Sequence, residues 1–154
     1  MADDVAPNAY PAAHTVQEGP FAGWISWGQG QDPYETLVGP FAYRVHDDGL
    51  VEMAFQPEQR HLNGAGAVHG GCLMSFADFA LFAIAHHSLK GGVMAVTLTC
   101  NSEFIGAADT SGWITAEGDV LKETGSLIFV RGLLKQAAKP VLAFSGTLKK
   151  IKPR

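Results

Sequence analysis

The chain has 154 residues, of which 47% are hydrophobic and 17% charged, and this is enough for one compact domain with its own core. Its formal net charge of -4 at pH 7 argues against the basic surface that proteins use to neutralise nucleic-acid phosphates. The sequence also lacks a basic leader followed by an apolar stretch and any uninterrupted apolar run of membrane-spanning length. We therefore expect a cytoplasmic protein with no nucleic acid and no membrane as partner.

The first 20 residues are rich in alanine and proline. This predicts a flexible tail over residues 1–20, or an extended arm packed on a neighbour, and a domain over residues 21–154. Aromatic residues at near-helical spacing in "FAGWISW" (21–27) indicate a helical segment, and "YETLVGP" (34–40) predicts a helical turn ended by its Gly-Pro pair.

From residue 41 onward the pattern is that of strands. Residues 41–55 hold two β-rich runs around Asp-Asp-Gly at 47–49, which predicts a hairpin whose glycine supplies a positive φ. Residues 93–105 alternate as a half-buried strand does. Three more β-rich segments with short turns between them predict an antiparallel meander: "GWITAEGDVLKE", "SLIFVRGLLKQ" and "PVLAFSGTLKKI".

A long apolar segment separates the hairpin from the last four strands. Between Cys72 and Ala85 its only polar side chains are Ser75 and Asp78. A helix that is apolar all round must be covered all round. The sequence therefore predicts an α+β fold in which one long central helix is wrapped by a single antiparallel sheet. Free sheet edges and the remaining apolar surface predict a homo-oligomer, either a dimer or a dimer of dimers.

Asp78 is the unusual residue of this helix. Burying an unpaired carboxylate costs several kcal/mol, so a protein keeps one where it is paired, solvated or used. Asp78 is either a structural acid bonded to Ser75 or to a strand, or an acid or base that opens into a cleft. Glycines just before the helix favour a ligand site, because backbone N–H groups at a helix start can stabilise an oxyanion. These glycines are Gly64, Gly66, Gly70 and Gly71.

A spaced motif runs through this region and is followed by a strand that includes Thr97. Its members are Asn63, His69, Gly70, Gly71 and Asp78. The motif resembles that of the hotdog-fold acyl-CoA thioesterases of the phenylacetate-degradation type, and the resemblance covers roughly residues 41–151. It implies a long helix wrapped by an antiparallel sheet, and an enzyme that hydrolyses an acyl- or aryl-CoA thioester to the free acid and CoA without a cofactor.

The resemblance also implies roles for the residues of the motif. Asp78 would act as general base or nucleophile, with Thr97 helping to position the attacking water. The N–H of Gly70 would polarise the thioester carbonyl, while Asn63 and His69 would orient the substrate or the leaving group. The alternation of its strand sets Thr97 opposite an apolar face. If that apolar face packs on the helix of its own chain, we expect Thr97 to face a partner subunit or to follow a bulge.

Three further residues are candidates for substrate binding. Gly71 shares the helix start, Phe82 would line the acyl pocket, and Arg60 would meet the phosphates of coenzyme A unless it is a solvated surface residue. We expect no metal site, because the cysteines and histidines lack a ligand spacing, and we expect Cys72 and Cys100 to be reduced core residues.

Distance along the helix adds a constraint. At about 1.5 Å per residue, Asp78 lies roughly 12 Å from Gly70. A base at that distance cannot serve a carbonyl held at the same helix start. We therefore expect one chain to supply Asp78 and another to supply Asn63, His69 and Gly70.

Three other functions remain open from the sequence. A hotdog hydratase would need a histidine five positions after Asp78, where the chain has Ala83, and we expect His86 and His87 to be structural. A non-catalytic acyl-CoA-binding module would use the same groove but has little use for an unpaired buried acid. A purely structural oligomer would leave the glycines of the motif without a ligand.

Overall fold

The computed structural model describes residues 13–27 and 32–151, which form an antiparallel sheet around a long helix. The strands are β1 (His14–Thr15), β2 (Ile25–Ser26), β3 (Phe41–Val45), β4 (Val51–Phe55), β5 (Met94–Phe104), β6 (Ile114–Glu123), β7 (Leu127–Gln136) and β8 (Lys139–Ile151). The helices are α1 (Pro33–Val38) and α2 (Gly70–Ile84), with 3-10 segments at Gln59–His61 and His86–Gly92. The strands lie in the order β1-β2-β3-β4-β6-β7-β8-β5, so the predicted α+β hotdog architecture is confirmed.

The central helix α2 begins where it was predicted to begin. His69 is its N-cap, and the ring Nδ1 accepts a hydrogen bond from the N–H of Gly71 at 2.9 Å. This satisfies one of the N-terminal donors for which a helix has no acceptor of its own. Most sides of α2 are buried, which accounts for its apolar sequence. Its buried residues are Leu73, Phe76, Ala77, Phe79, Ala80, Leu81, Ala83 and Ile84.

Glycines in the sheet let the strands pass close to α2. A Cβ added to Gly118 would lie 2.6 Å from Cδ1 of Ile84, and one added to Gly146 would lie 2.4 Å from Cδ1 of Leu81. Any larger residue would therefore push the sheet away from the helix. This close approach allows the sheet to curve around α2.

The strand predictions from residue 41 onward are confirmed. β3 and β4 form the hairpin, with Gly49 at a φ of 86° in its turn. β6, β7 and β8 form the meander, and β5 pairs with β8 at one edge of the sheet. The helical turn predicted before Gly39 is α1, whose N-cap Asp32 accepts from the N–H of Glu35 at 2.9 Å.

The predicted flexible tail is wrong for residues 13–20. β1 pairs with β2, and Val16 is buried in a small cluster with Phe21 and Trp24. Local composition did not indicate this order, because it comes from apolar contacts with a later part of the chain. Residues 1–12 of the predicted tail lie outside the described residues.

The helical segment expected in residues 21–27 is also wrong. The chain makes a turn in which Gly23 has a φ of 85°, and β2 follows and pairs with β3. Phe21 packs on Trp113 with a ring-centroid distance of 4.8 Å. The spacing of these aromatic residues therefore reflects packing with a residue distant in sequence, and strand pairing determines the backbone conformation.

Within the described residues, no single helix is long and apolar enough to cross a membrane. α2 and the 3-10 segment after it reach that length and composition only when they are joined across a bend of 71°.

Candidate active site

Asp78 lies in the middle of α2 and lines a cavity of about 600 Å³. Its Oδ1 accepts a hydrogen bond from Oγ1 of Thr97 on β5 at 2.7 Å. Burial raises the pKa of this carboxyl, and the hydrogen bond from Thr97 opposes that rise. A partly buried carboxylate that has a hydroxyl partner and opens into a cavity can accept a proton from a bound water.

Thr97 faces the helix of its own chain, so the expectation that it faces a partner or follows a bulge is wrong. β5 does have a bulge, but it lies after Thr97, between Thr97 and Thr99. Ala95 shares the inward face with Thr97 and is buried, whereas Leu98 is 54% exposed. Cys100 packs on the core beyond the bulge, so the inward face changes from odd to even positions there.

The cavity combines apolar walls with several ionisable side chains. Its volume is within the range of about 300–1,000 Å³ that is typical of small-molecule sites. Phe82 lies in its wall, where it was expected. The other large apolar and aromatic residues of the lining are Trp27, Tyr43, Phe79, Leu89, Val93, Met94 and Val96. The ionisable residues that join Asp78 are Asp32, Glu35, Tyr43, His86 and Lys90.

Glu35 on α1 is a second carboxyl in this cavity and is not among the residues that the sequence indicated. Its Oε2 is buried and has no hydrogen-bond partner among the described residues. Burial, followed by repulsion from Asp32 and Asp78, raises the pKa of Glu35 to about 8. In sequence it is a glutamate three residues after an aspartate N-cap, which is an ordinary pattern at a helix start. Only the docking of α1 reveals it.

Two contacts dock α1 beside Asp78. The hydroxyl groups of Tyr34 on α1 and Ser75 on α2 are hydrogen-bonded at 2.8 Å. Arg60 donates from its guanidinium to the backbone carbonyls of Leu37 and Gly39, at the end of α1. Arg60 thus has a structural role in the monomer, and its predicted contact with coenzyme A phosphates stays a prediction.

The other residues of the motif lie at the start of α2. Oδ1 of Asn63 accepts from the N–H groups of Ala65 and Ala67, at 2.9 and 3.2 Å, and shapes the loop before the helix. His69 accepts at Nδ1, so Nε2 is the ring nitrogen that can donate a hydrogen bond. Gly70 lies against the Phe104 ring, since an added Cβ would be 2.9 Å from Cε1.

The structure therefore divides the predicted site into two groups. Asp78, Thr97 and Phe82 are together at the cavity. The second group does not line the cavity and lies at and before the start of α2, where Gly70 is about 12 Å along the helix from Asp78: Asn63, His69, Gly70 and Gly71.

The remaining candidates are weaker on chemical grounds. Burial raises the pKa of the Cys72 thiol to about 11, so little of the nucleophilic thiolate exists at neutral pH. Ala83 is fully buried at the position where a hydratase would need histidine. His86 lines the cavity, and burial lowers its pKa. Among the described residues, no cluster of three or more His, Cys, Asp or Glu side chains could hold a metal ion.

Comparisons with known proteins identify a family. A family model described as the Thioesterase superfamily matches residues 65–143. A Pseudomonas aeruginosa protein that is provisionally named an esterase is 27% identical over 114 residues, which are 74% of this chain and 85% of that protein.

Two solved structures show the same fold. The PaaI protein from the phenylacetic acid degradation operon of Escherichia coli has a TM-score of 0.67 and 24% identity, over 79% of this chain and 86% of that one. A Bacillus halodurans protein solved with CoA has a TM-score of 0.67 and 20% identity, over 73% of this chain and 74% of that one.

Proposed function

Because the chain belongs to the Thioesterase superfamily, we propose that it hydrolyses acyl-CoA thioesters to the free acid and CoA. The observation that carries this proposal is the Asp78 carboxylate, which accepts a hydrogen bond from Thr97 inside a largely apolar cavity. The CoA in the Bacillus halodurans structure and the esterase name of the Pseudomonas aeruginosa relative support it.

In the proposed reaction, Asp78 takes a proton from a water as the water oxygen attacks the thioester carbonyl. Thr97 fixes the carboxylate, so the base is held in place before the substrate arrives. The apolar walls exclude bulk water and strengthen the interactions that stabilise developing charge. Phe82 and its neighbours would hold the acyl group.

The carbonyl also needs a hydrogen-bond donor, and we propose that a second copy of the chain supplies it. The N–H of Gly70 is at a helix start, where the helix itself offers no acceptor. It is too far from Asp78 of its own chain to serve the same carbonyl. Asn63 and His69 would complete this half of the site.

The edge strand β5 suggests how two copies would meet. β5 contacts both groups of the predicted site. Thr97 on β5 is hydrogen-bonded to Asp78, and Phe104 on β5 lies against Gly70. If β5 pairs antiparallel with β5 of a second copy about an axis near its midpoint, Thr97 of one chain comes beside Phe104 of the other. Such pairing would also cover Phe104, which is 55% exposed in the single chain.

The test is release of free thiol from aryl, short-chain and long-chain acyl-CoAs by wild type and Asp78→Asn. The substitution keeps the shape of the side chain and removes the base, so we expect a loss on the order of 10²–10⁴-fold. Glu117→Gln, which removes an exposed carboxylate paired with Lys135, is the matched control and should keep full activity.

Each other outcome contradicts a part of the proposal. Near-normal turnover by Asp78→Asn would show that Asp78 is not the general base. Binding of acyl-CoA without turnover by wild type would indicate a binding module. Hydration of an enoyl-CoA without thioester cleavage would indicate a hydratase.

A further inference from the structure

We propose that Glu35 is a second catalytic residue, the general acid that protonates the sulfur of the leaving group. This inference rests on the proposed thioester hydrolysis. In this proposal the two carboxyls of the cavity act in different steps. Asp78 takes a proton from the water, and Glu35 gives a proton to the departing thiolate.

The position of α1 is the first argument. Tyr34 precedes Glu35 and is bonded to Ser75, which lies three residues before Asp78 on the same side of α2. Arg60 holds the other end of α1 through two backbone carbonyls. The helix is thus fixed at both ends, and the carboxyl of Glu35 is held at the wall of the cavity that Asp78 also lines.

The surroundings of Glu35 are the second argument. The ionisable groups that share its cavity are Asp32 at the cap of α1, Asp78 on α2, Tyr43 on β3, and His86 and Lys90 on the following 3-10 segment. None of the ion pairs among the described residues includes Glu35. Its buried Oε2 has no hydrogen-bond partner there either, so no contact among the described residues fixes a negative charge on this oxygen.

A buried carboxyl without a cationic partner favours its neutral form. Burial and the nearby acids raise the pKa of Glu35 to about 8, so it carries a proton at neutral pH. Burial also raises the pKa of Asp78, but Thr97 donates a hydrogen bond that favours its ionised form and opposes that rise, whereas Oε2 of Glu35 has no such donor among the described residues. Two carboxyls whose surroundings separate their pKa values are suited to act as an acid and a base in one reaction.

The proposed steps balance. The water oxygen bonds to the thioester carbon, the π pair of the carbonyl moves to its oxygen, and Asp78 takes one water proton. The oxyanion then re-forms the carbonyl as the C–S bond breaks, the electron pair of that bond goes to sulfur, and the carboxyl of Glu35 gives its proton to the sulfur. The products are the free acid and the thiol. The proton on Asp78 passes to Glu35 through the cavity and restores both groups.

The test compares two thioesters with the same acyl group at pH 7. Coenzyme A is an alkyl thiol and the poorer leaving group of the two, whereas a nitro-substituted aryl thiol leaves as a more stable thiolate that needs no proton. We expect Glu35→Gln to lower kcat on the CoA ester by about 10²-fold, and on the aryl thioester by less than about threefold. Glu117→Gln is again the control and should change neither rate.

Equal losses on both substrates, in a variant with the unfolding temperature of wild type, would show a structural role and overturn the general acid. Unchanged rates on both would overturn it as well. In either case, loss of activity in Asp78→Asn would leave the proposed thioesterase standing. If wild type cleaves neither substrate, both proposals fail.

Wild type provides a second measurement that needs no variant. As the pH rises through about 8, Glu35 loses its proton, so the rate on the CoA ester should fall relative to the rate on the aryl thioester. The range from about pH 6 to about pH 9 brackets this titration. If the ratio of the two rates stays constant over that range, the proposal is overturned.

Discussion

The hydroxyl of Thr97 is the described hydrogen-bond donor to Asp78, and its removal should change both the rate and the pH profile. The hydrogen bond lowers the pKa of Asp78 against the effect of burial, so Thr97→Val should raise that pKa. Because the base must be ionised, the acidic limb of kcat/KM should move to higher pH. At neutral pH we expect about a tenfold loss, the order of one hydrogen bond to a charged group.

Thr97→Ser is the matched control, because it keeps the hydroxyl and removes a methyl group. It should retain the wild-type acidic limb. An acidic limb that is the same in Thr97→Val and wild type would mean that Thr97 does not tune the base.

At the residue scale, the sequence allowed one carboxyl of the site to be predicted and concealed the other. Asp78 stands out because its neighbours along the helix are apolar. Glu35 stands in a short polar helix and differs from a surface glutamate only through the docking of α1. The side of the sheet on which Thr97 lies could not be predicted either. A bulge changes the alternation of side chains along β5, and the amino-acid composition does not show where the bulge is.

The short helix α1 depends on Arg60 for its position. Arg60→Met keeps much of the side-chain stem and removes the donors to the carbonyls of Leu37 and Gly39. The last turn of α1 should then open more often. We expect the Gly39 amide, which donates to the carbonyl of Glu35, to exchange its hydrogen about tenfold faster, with a matching loss of thioesterase activity.

Arg131→Met is a suitable control, since Arg131 is exposed and contacts Asp119 at 3.7 Å, away from α1. If Arg60→Met instead raises KM for an acyl-CoA and leaves amide exchange unchanged, Arg60 binds the coenzyme A phosphates and does not anchor α1.

Periodicity predicts the elements of the hairpin, the long helix and the meander, because the pattern of apolar residues within each of them is typical of a strand or of a helix. This holds for β3 and β4, for α2, and for the four strands after it. Residues 13–27 were not, because Phe21 and Trp24 pack on Trp113 and β2 pairs with β3. Contacts between distant parts of the chain override a short pattern there.

At the scale of the whole molecule, the proposal that two chains share the site predicts complementation between two inactive variants. Gly70→Pro removes the N–H proposed to polarise the carbonyl. Proline is tolerated at the first position of a helix, and His69 already has the extended backbone that precedes a proline. Mixed dimers of Gly70→Pro and Asp78→Asn would contain one intact site, so refolding an equal mixture should recover roughly a quarter of wild-type activity.

Gly70→Ala is the control for the added carbon atom, because it also contacts Phe104 but keeps the N–H. It should stay more active than Gly70→Pro. No recovery in the mixture, or full activity in a monomeric species, would show that one chain holds the complete site.

The extra residue between Thr97 and Thr99 shifts the inward-facing positions of β5 from odd numbers before the bulge to even numbers after it. The first half presents Thr97 to Asp78, and the second half carries Phe104 at the open edge. A strand without the extra residue could turn either Thr97 or Phe104 towards α2, but not both, because a shift of one residue moves a side chain to the opposite face.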